Sequence, residues 1–171
     1  MITVKGKDAN QGGNAGVAVT VDGMKATEVE LPKEMVAAIA KDTKADLVIK
    51  TDNGEIVLDN KALETIADAS QGDIVTIVLN ENTRLKESQK PAADIIGKNG
   101  VLFELAAKLG ERHLRHFEGG RAQVTLSMPD KLKGKEVLLV YIDENGFCST
   151  LDNDVERVGA DSYIKFTTKH F

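Results

Sequence analysis

Lys44-Ala45-Asp46-Leu47-Val48-Ile49-Lys50-Thr51-Asp52-Asn53-Gly54, with Ile56 and Leu58 beyond it, is the stretch on which the fold is decided. An apolar run enters an acidic Asn-Gly turn and an apolar run leaves it. This is the strongest short-range signal for a β-hairpin, because such turns need residues that tolerate positive φ. Lys135 through Gly146 reads the same way and ends in Asp143-Glu144-Asn145-Gly146. Each copy is preceded by a strand that closes on proline, Thr27 to Pro32 in one case and Val124 to Pro129 in the other. The prolines stand 97 residues apart and the turn glycines 92, so the second copy has the shorter connection. Length differences of that kind belong in surface loops. The sequence therefore reads as an internal pseudo-repeat, with halves at about 24–82 and 99–171.

Working outward, Val17, Val19 and Val21 alternate with Ala18, Thr20 and Asp22, and Thr27, Val29 and Leu31 continue the period of two. Gly23 supplies a turn between them. Pro32 stops the ladder, having no N–H to donate, and suits the first turn of a helix in which Met35, Val36, Ile39 and Ala40 form one stripe. Asn60 is read as the cap of a second short helix with Leu63, Ile66 and Ala67 on one face. Ile74 to Leu79 is a strand. Asn80 to Gly100 loses its periodicity and reads as the joint between halves. Beyond it come Val101 to Leu109, His113 to Phe117, Gln123 to Met128, Glu136 to Ile142 and Tyr163 to Thr168, all expected as strands. Residues 1–16 read as a flexible lead-in or linker, with order starting near Val17 and a single module over 17–171. The expected fold is mainly β, sandwich-like, with two short helices.

Composition narrows the function. The 171 residues are 42% hydrophobic, which suits a packed core, but only 4% aromatic with no tryptophan. Stacking platforms for sugars or single-stranded nucleic acid are disfavoured. The net charge of −5 comes from interspersed charges with no basic run, which argues against nucleic acid. No apolar run is long enough to span a membrane, and Met1 to Lys7 turns polar too soon for a signal peptide. The lone Cys148 cannot form an internal disulfide and is expected to be a half-buried strand residue.

Candidate chemistry is sparse. His113 and His116 would share a helical face, but the alternation around them indicates a strand, where residues three apart point to opposite sides. His170 reads as a packing or hydrogen-bonding residue. Asp143 to Gly146 with Asp152-Asn153-Asp154 lacks the glycine position of a helix-loop-helix calcium loop, although Asp152, Asp154 and a carbonyl leave a calcium site open. Ser162-Tyr163-Ile164-Lys165 matches a Ser-x-x-Lys string, yet lies in a strand where the two side chains diverge. There is no nucleophile elbow, phosphate loop or dinucleotide fingerprint. The chain is read as non-catalytic, with no catalytic, cofactor-binding or metal-ligating residue assigned and no cofactor expected.

Val140-Tyr141-Ile142-Asp143-Glu144-Asn145-Gly146, and later Ile164-Lys165-Phe166-Thr167-Thr168-Lys169-His170-Phe171, resemble a module that recurs in large secreted and surface-anchored proteins of Firmicutes. There a Tyr-Tyr-x-Asp-x-x-Gly strand leads to a closing Phe-Thr-Thr-x-His-Phe-Ser strand. Val29 to Glu34, Ile49 to Gly54 and Leu58 to Leu63 follow the same module's first half. The resemblance spans roughly 24–171, departing at Cys148 and at 152–161. It implies a non-catalytic, secreted or cell-surface unit beside S-layer homology repeats, polysaccharide-degrading enzymes or cellulosomal parts. Expected partners are the neighbouring domains of a longer chain and a protein or polysaccharide. Ending at Phe171, without the serine, reads as a boundary within such a chain. Modules of this setting also carry Lys-Asn isopeptide cross-links.

Overall fold

The computed structural model describes residues 27–43, 45–81, 85–96, 100–151, 155–160 and 162–171, together with the backbone of 2–6 and 17–22. The chain is mainly β. Thirteen strands are described: β1 (Ile2–Gly6), β2 (Val17–Asp22), β3 (Glu28–Pro32), β4 (Asp46–Thr51), β5 (Gly54–Leu58), β6 (Ile74–Glu81), β7 (Phe103–Leu109), β8 (Arg112–Leu114), β9 (Ala122–Ser127), β10 (Val140–Ile142), β11 (Cys148–Thr150), β12 (Glu156–Val158) and β13 (Tyr163–Thr168). Seven form one sheet in the order β1-β2-β4-β5-β9-β13-β12, four form a second in the order β3-β6-β7-β8, and β10-β11 stand as a hairpin of their own. Every described pairing is antiparallel except β2 with β4. The crossover joining those two strands passes through β3 of the other sheet, as a parallel pair requires.

Both large sheets turn an apolar face to one core. Leu47 and Ile49, Ile56 and Leu58, Val124 and Leu126, and Ile164 and Phe166 come from the first sheet. Leu31, Val75, Ile77, Leu79, Ala107 and Leu109 come from the second. Their spacing of two is the alternation legible in the sequence. Helix α1 (Lys33–Ala38) runs into a wider π turn at Ile39–Thr43, and α2 (Asn60–Ala69) packs against α1, β4 and β7. Because β4 and β7 belong to different sheets, α2 fills the gap between the two layers and buries Ala62, Leu63, Ile66 and Ala67 there.

The cap of α2 is Asp59 rather than the expected Asn60. One oxygen of Asp59 accepts from the Ala62 N–H at 2.8 Å and the other from the Arg121 N–H at 3.0 Å. One carboxylate thus satisfies the helix start and ties it to the approach of β9. Asn60 instead donates to the Ala40 carbonyl at 2.6 Å, which anchors the π turn.

Other expectations are corrected. A third helix, α3 (Lys90–Ile96), lies inside the stretch read as a patternless joint. Pro91 falls in its first turn, where a missing N–H costs nothing. The strand expected over Glu136–Ile142 is ladder-paired only at Val140–Ile142. Ile2–Gly6, within the supposed lead-in, pairs with β2, whereas 7–16, Gly23 and the candidate calcium residues Asp152 and Asp154 lie outside the described residues. The two strand-turn units also sit differently. β4-β5 is built into the seven-stranded sheet between β2 and β9, whereas β10-β11 stands apart from it. The flanking strands behave alike, since β3 pairs with β6 and β9 with β13, each time antiparallel.

Candidate functional site: the hairpin, its groove and the C-terminal clasp

The β10-β11 hairpin is held by three neighbours. Its turn is closed by Asp143, whose Oδ1 accepts from the N–H groups of Asn145 and Phe147 at 2.8 and 2.9 Å. That Asx turn accounts for the acidic residue ahead of the Asn-Gly pair. The turn rests on the start of α3. Ser88 Oγ donates to the Glu144 carbonyl at 2.6 Å, and Gln89 Nε2 donates to the Asp143 carbonyl at 3.1 Å. Gly146, at φ +85°, is required here because a Cβ would overlap the Ser88 carbonyl. The Glu144 carboxylate meets Lys86 at 3.4 Å and Arg115 at 2.6 Å, surface pairs that steer more than they stabilise.

Between α3 and the hairpin runs an open groove of about 530 Å³, lined by Pro91, Ala92, Ile95, Ile96, Val140 and Cys148 among others. Apolar surface dominates it, and its lining includes no aromatic ring. Ile95 is 89% exposed on its wall, and Phe147, one residue from the lining Gly146 and Cys148, is 74% exposed. Cys148, expected half-buried, is exposed on β11, a strand of the two-stranded hairpin that belongs to neither large sheet.

On the other face of the hairpin, Tyr141 meets the His170 ring edge-on at 4.7 Å, and His170 lies 6.0 Å from His116. The two histidines face each other across an isolated antiparallel bridge. Beside it the Phe117 N–H donates to the Lys169 carbonyl and the Phe171 N–H to the Arg115 carbonyl. The rings of Phe117 and Phe171 pack edge-to-face at 4.9 Å. The closing Phe-Thr-Thr-Lys-His-Phe segment is therefore a clasp. Phe166 enters the core, Thr168 is buried, His170 supports Tyr141, and Phe171 covers Phe117. His170 takes the packing role expected of it, and His113 lies on β8, away from this cluster's ring contacts.

Burial, reinforced by the neighbouring His116, holds the His170 imidazole below its ordinary value. Burial and the Asp143 carboxylate push the Tyr141 phenol up. For His170 the unfolded chain binds a proton more readily than the folded one, so stability grows with pH across that interval. The contribution is complete above the ordinary imidazole value and is lost as pH falls through the lowered one. Thermal melts should therefore show the melting temperature falling between about pH 7 and about pH 5. His170→Gln should flatten that slope, and parallel slopes for the two proteins would contradict the assignment.

Among the described residues no group of three or more His, Cys, Asp or Glu side chains is arranged to hold a metal ion. The Ser162 string continues into β13, so it does not form the helical turn that brings such a lysine to its serine. The side-chain amides of Asn53 and Asn60 donate to the carbonyls of Leu79 and Ala40. Among the described residues no helix is long and apolar enough to cross a membrane. No family model, no curated protein and no solved structure matches the chain.

Proposed function

We propose that this chain is a non-catalytic spacer or assembly module of a multi-domain bacterial surface protein, setting the separation and orientation of its neighbours. The observation that carries this reading is a single row of paired residues across the large sheet: Val4, Val19, Leu47, Leu58, Ala122 and Thr168. It links β1 to β13, five strand steps or about 24 Å away. Neighbours attached at the two ends would be held apart by one continuous hydrogen-bonded layer. The likeness of the closing strand to secreted modules of Firmicutes supports the extracellular, Gram-positive setting, and the matching pairings of β3 with β6 and β9 with β13 support descent from a duplicated unit.

A second reading, a binding module for a protein partner or a polysaccharide, is favoured by the groove beside α3. Its apolar lining without aromatic rings suits a protein segment better than a sugar. Screening the isolated chain on a glycan array and titrating it with soluble cell-wall and plant polysaccharides, together with pull-down measurements for protein partners, separates the readings. The spacer reading expects no saturable binding. Saturable binding that is lost on Ile95→Asp would replace it with the second.

A further inference from the structure

We infer that β11 is an association edge through which a second copy of this chain pairs, strand to strand, about a two-fold axis at Ser149. Edge strands expose unpaired backbone groups, and proteins guard them with charge, proline or cover. Here β1 carries Lys5, β3 carries Glu28, Glu30 and Pro32, β8 carries Arg112 and His113, and β12 carries Glu156 and Arg157. β10 is uncharged but half-buried. β11, Cys148-Ser149-Thr150, is uncharged and exposed at all three positions.

The ladder phase identifies which groups of β11 point away from β10. The Asp143 N–H donates to the Phe147 carbonyl, and the Leu151 N–H donates to the Leu139 carbonyl. Bonded pairs alternate along an antiparallel ladder, so Phe147, Ser149 and Leu151 address β10 while the N–H and C=O groups of Cys148 and Thr150 point outward. An antiparallel second copy centred on Ser149 sets Cys148 against its Thr150, and Thr150 against its Cys148. All four outward groups of each edge are then used.

A free peptide is a poorer occupant. Three residues of edge give few bonds with which to offset the ordering of a flexible chain. A second copy brings a strand already ordered. A two-fold axis perpendicular to the hairpin also keeps both α3 helices on one face of the resulting four-stranded sheet. Val140, Cys148 and Thr150, which share one face of the hairpin, are among the residues lining the groove beside α3, so the axis places the two grooves on the same side of the sheet. This inference does not depend on the spacer reading, since a polysaccharide-binding module could pair through the same edge.

Sedimentation of the wild-type chain up to about 1 mM should show a reversible monomer-dimer equilibrium. Ser149→Lys, at an exposed position, should leave the melting temperature unchanged and raise the dissociation constant at least tenfold, by opposing two lysines at the axis. In a Cys148→Ser background, Ser149→Cys should form an intermolecular disulfide under mild oxidation. Residues opposed in a non-bonded antiparallel pair stand about 4.5 Å apart, within disulfide reach. A chain monomeric throughout would overturn the inference. So would a dimer that neither Ser149→Lys weakens nor Ser149→Cys traps.

Discussion

Gly54→Ala is expected to destabilise the chain by about 4 kcal/mol, among the largest effects available to a single methyl group. The two-residue turn of the first hairpin is Asp52-Asn53, since Thr51 pairs with Gly54. Gly54 is therefore a strand residue that also faces β9, at φ +147° and opposite Leu126. A Cβ there would overlap the Thr125 carbonyl oxygen, which is backbone and cannot rotate aside. Relief requires prising β5 from β9, the seam that joins the first hairpin to the C-terminal strands. Urea denaturation measures the loss directly, and for a domain of this size the melting temperature should drop by roughly 12 °C. Gly72→Ala is the control, because a Cβ at Gly72 meets nothing within 4 Å. Equal stability of the Gly54 and Gly72 variants would refute the close approach.

Phe117→Ala should cost about as much, roughly 4 kcal/mol, for a different reason. Phe117 is 0% exposed and occupies the passage from β8 of one sheet to β9 of the other. Its carbonyl accepts from Thr65 Oγ1 at 2.9 Å and from the Gly120 N–H at 2.7 Å, so α2 and the following turn hold its backbone. Truncation leaves a ring-sized void that those bonds prevent from collapsing, and it takes away the surface on which Phe171 packs. Phe117→Leu should recover more than half of the loss. A Phe117→Ala protein within about 1 kcal/mol of wild type would show that the clasp does not contribute to the core.

The alternating pairs Leu47/Ile49, Ile56/Leu58, Val124/Leu126 and Ile164/Phe166 were legible because burial of one sheet face imposes a period of two on neighbouring residues. The allocation of strands to sheets was not. Whether β5 pairs with β9 or with a strand of its own half depends on contacts some seventy residues apart in sequence, which local pattern does not encode. Helix α3 leaves little trace in the sequence because its buried residues are Ala92 and Ala93, small side chains too weak to mark a stripe. Without α3 the groove was invisible, although both walls are short segments of ordinary composition. The clasp was better marked. Tyr141, Asp143 and His170 belong to the motifs that set the C-terminal third apart, and each has a structural role. Tyr141 and His170 pack ring against ring, and Asp143 closes the hairpin turn.

The first half of the chain shows how one turn signal can serve two purposes. Asn53 donates through Nδ2 to the Leu79 carbonyl at 3.0 Å, linking the hairpin turn of the large sheet to β6 of the smaller one. The Ser127 N–H donates to the Asn53 carbonyl at 2.9 Å. The Asn-Gly pair therefore fastens three strands, β5, β6 and β9, rather than merely reversing the chain. In the second hairpin the equivalent position, Asn145, is exposed, and the docking falls to Gly146 against α3.

The spacing of β1 and β13 is measured most directly by pulsed electron spin resonance between nitroxide labels at Thr3→Cys and Lys169→Cys, with Cys148→Ser. A docked β1 gives one narrow distance distribution within about 10 Å of the 24 Å row length, allowing for the label arms. A broad distribution, or a mean beyond about 45 Å, would mean that the first strand is not part of the sheet and would contradict the proposed spacer role.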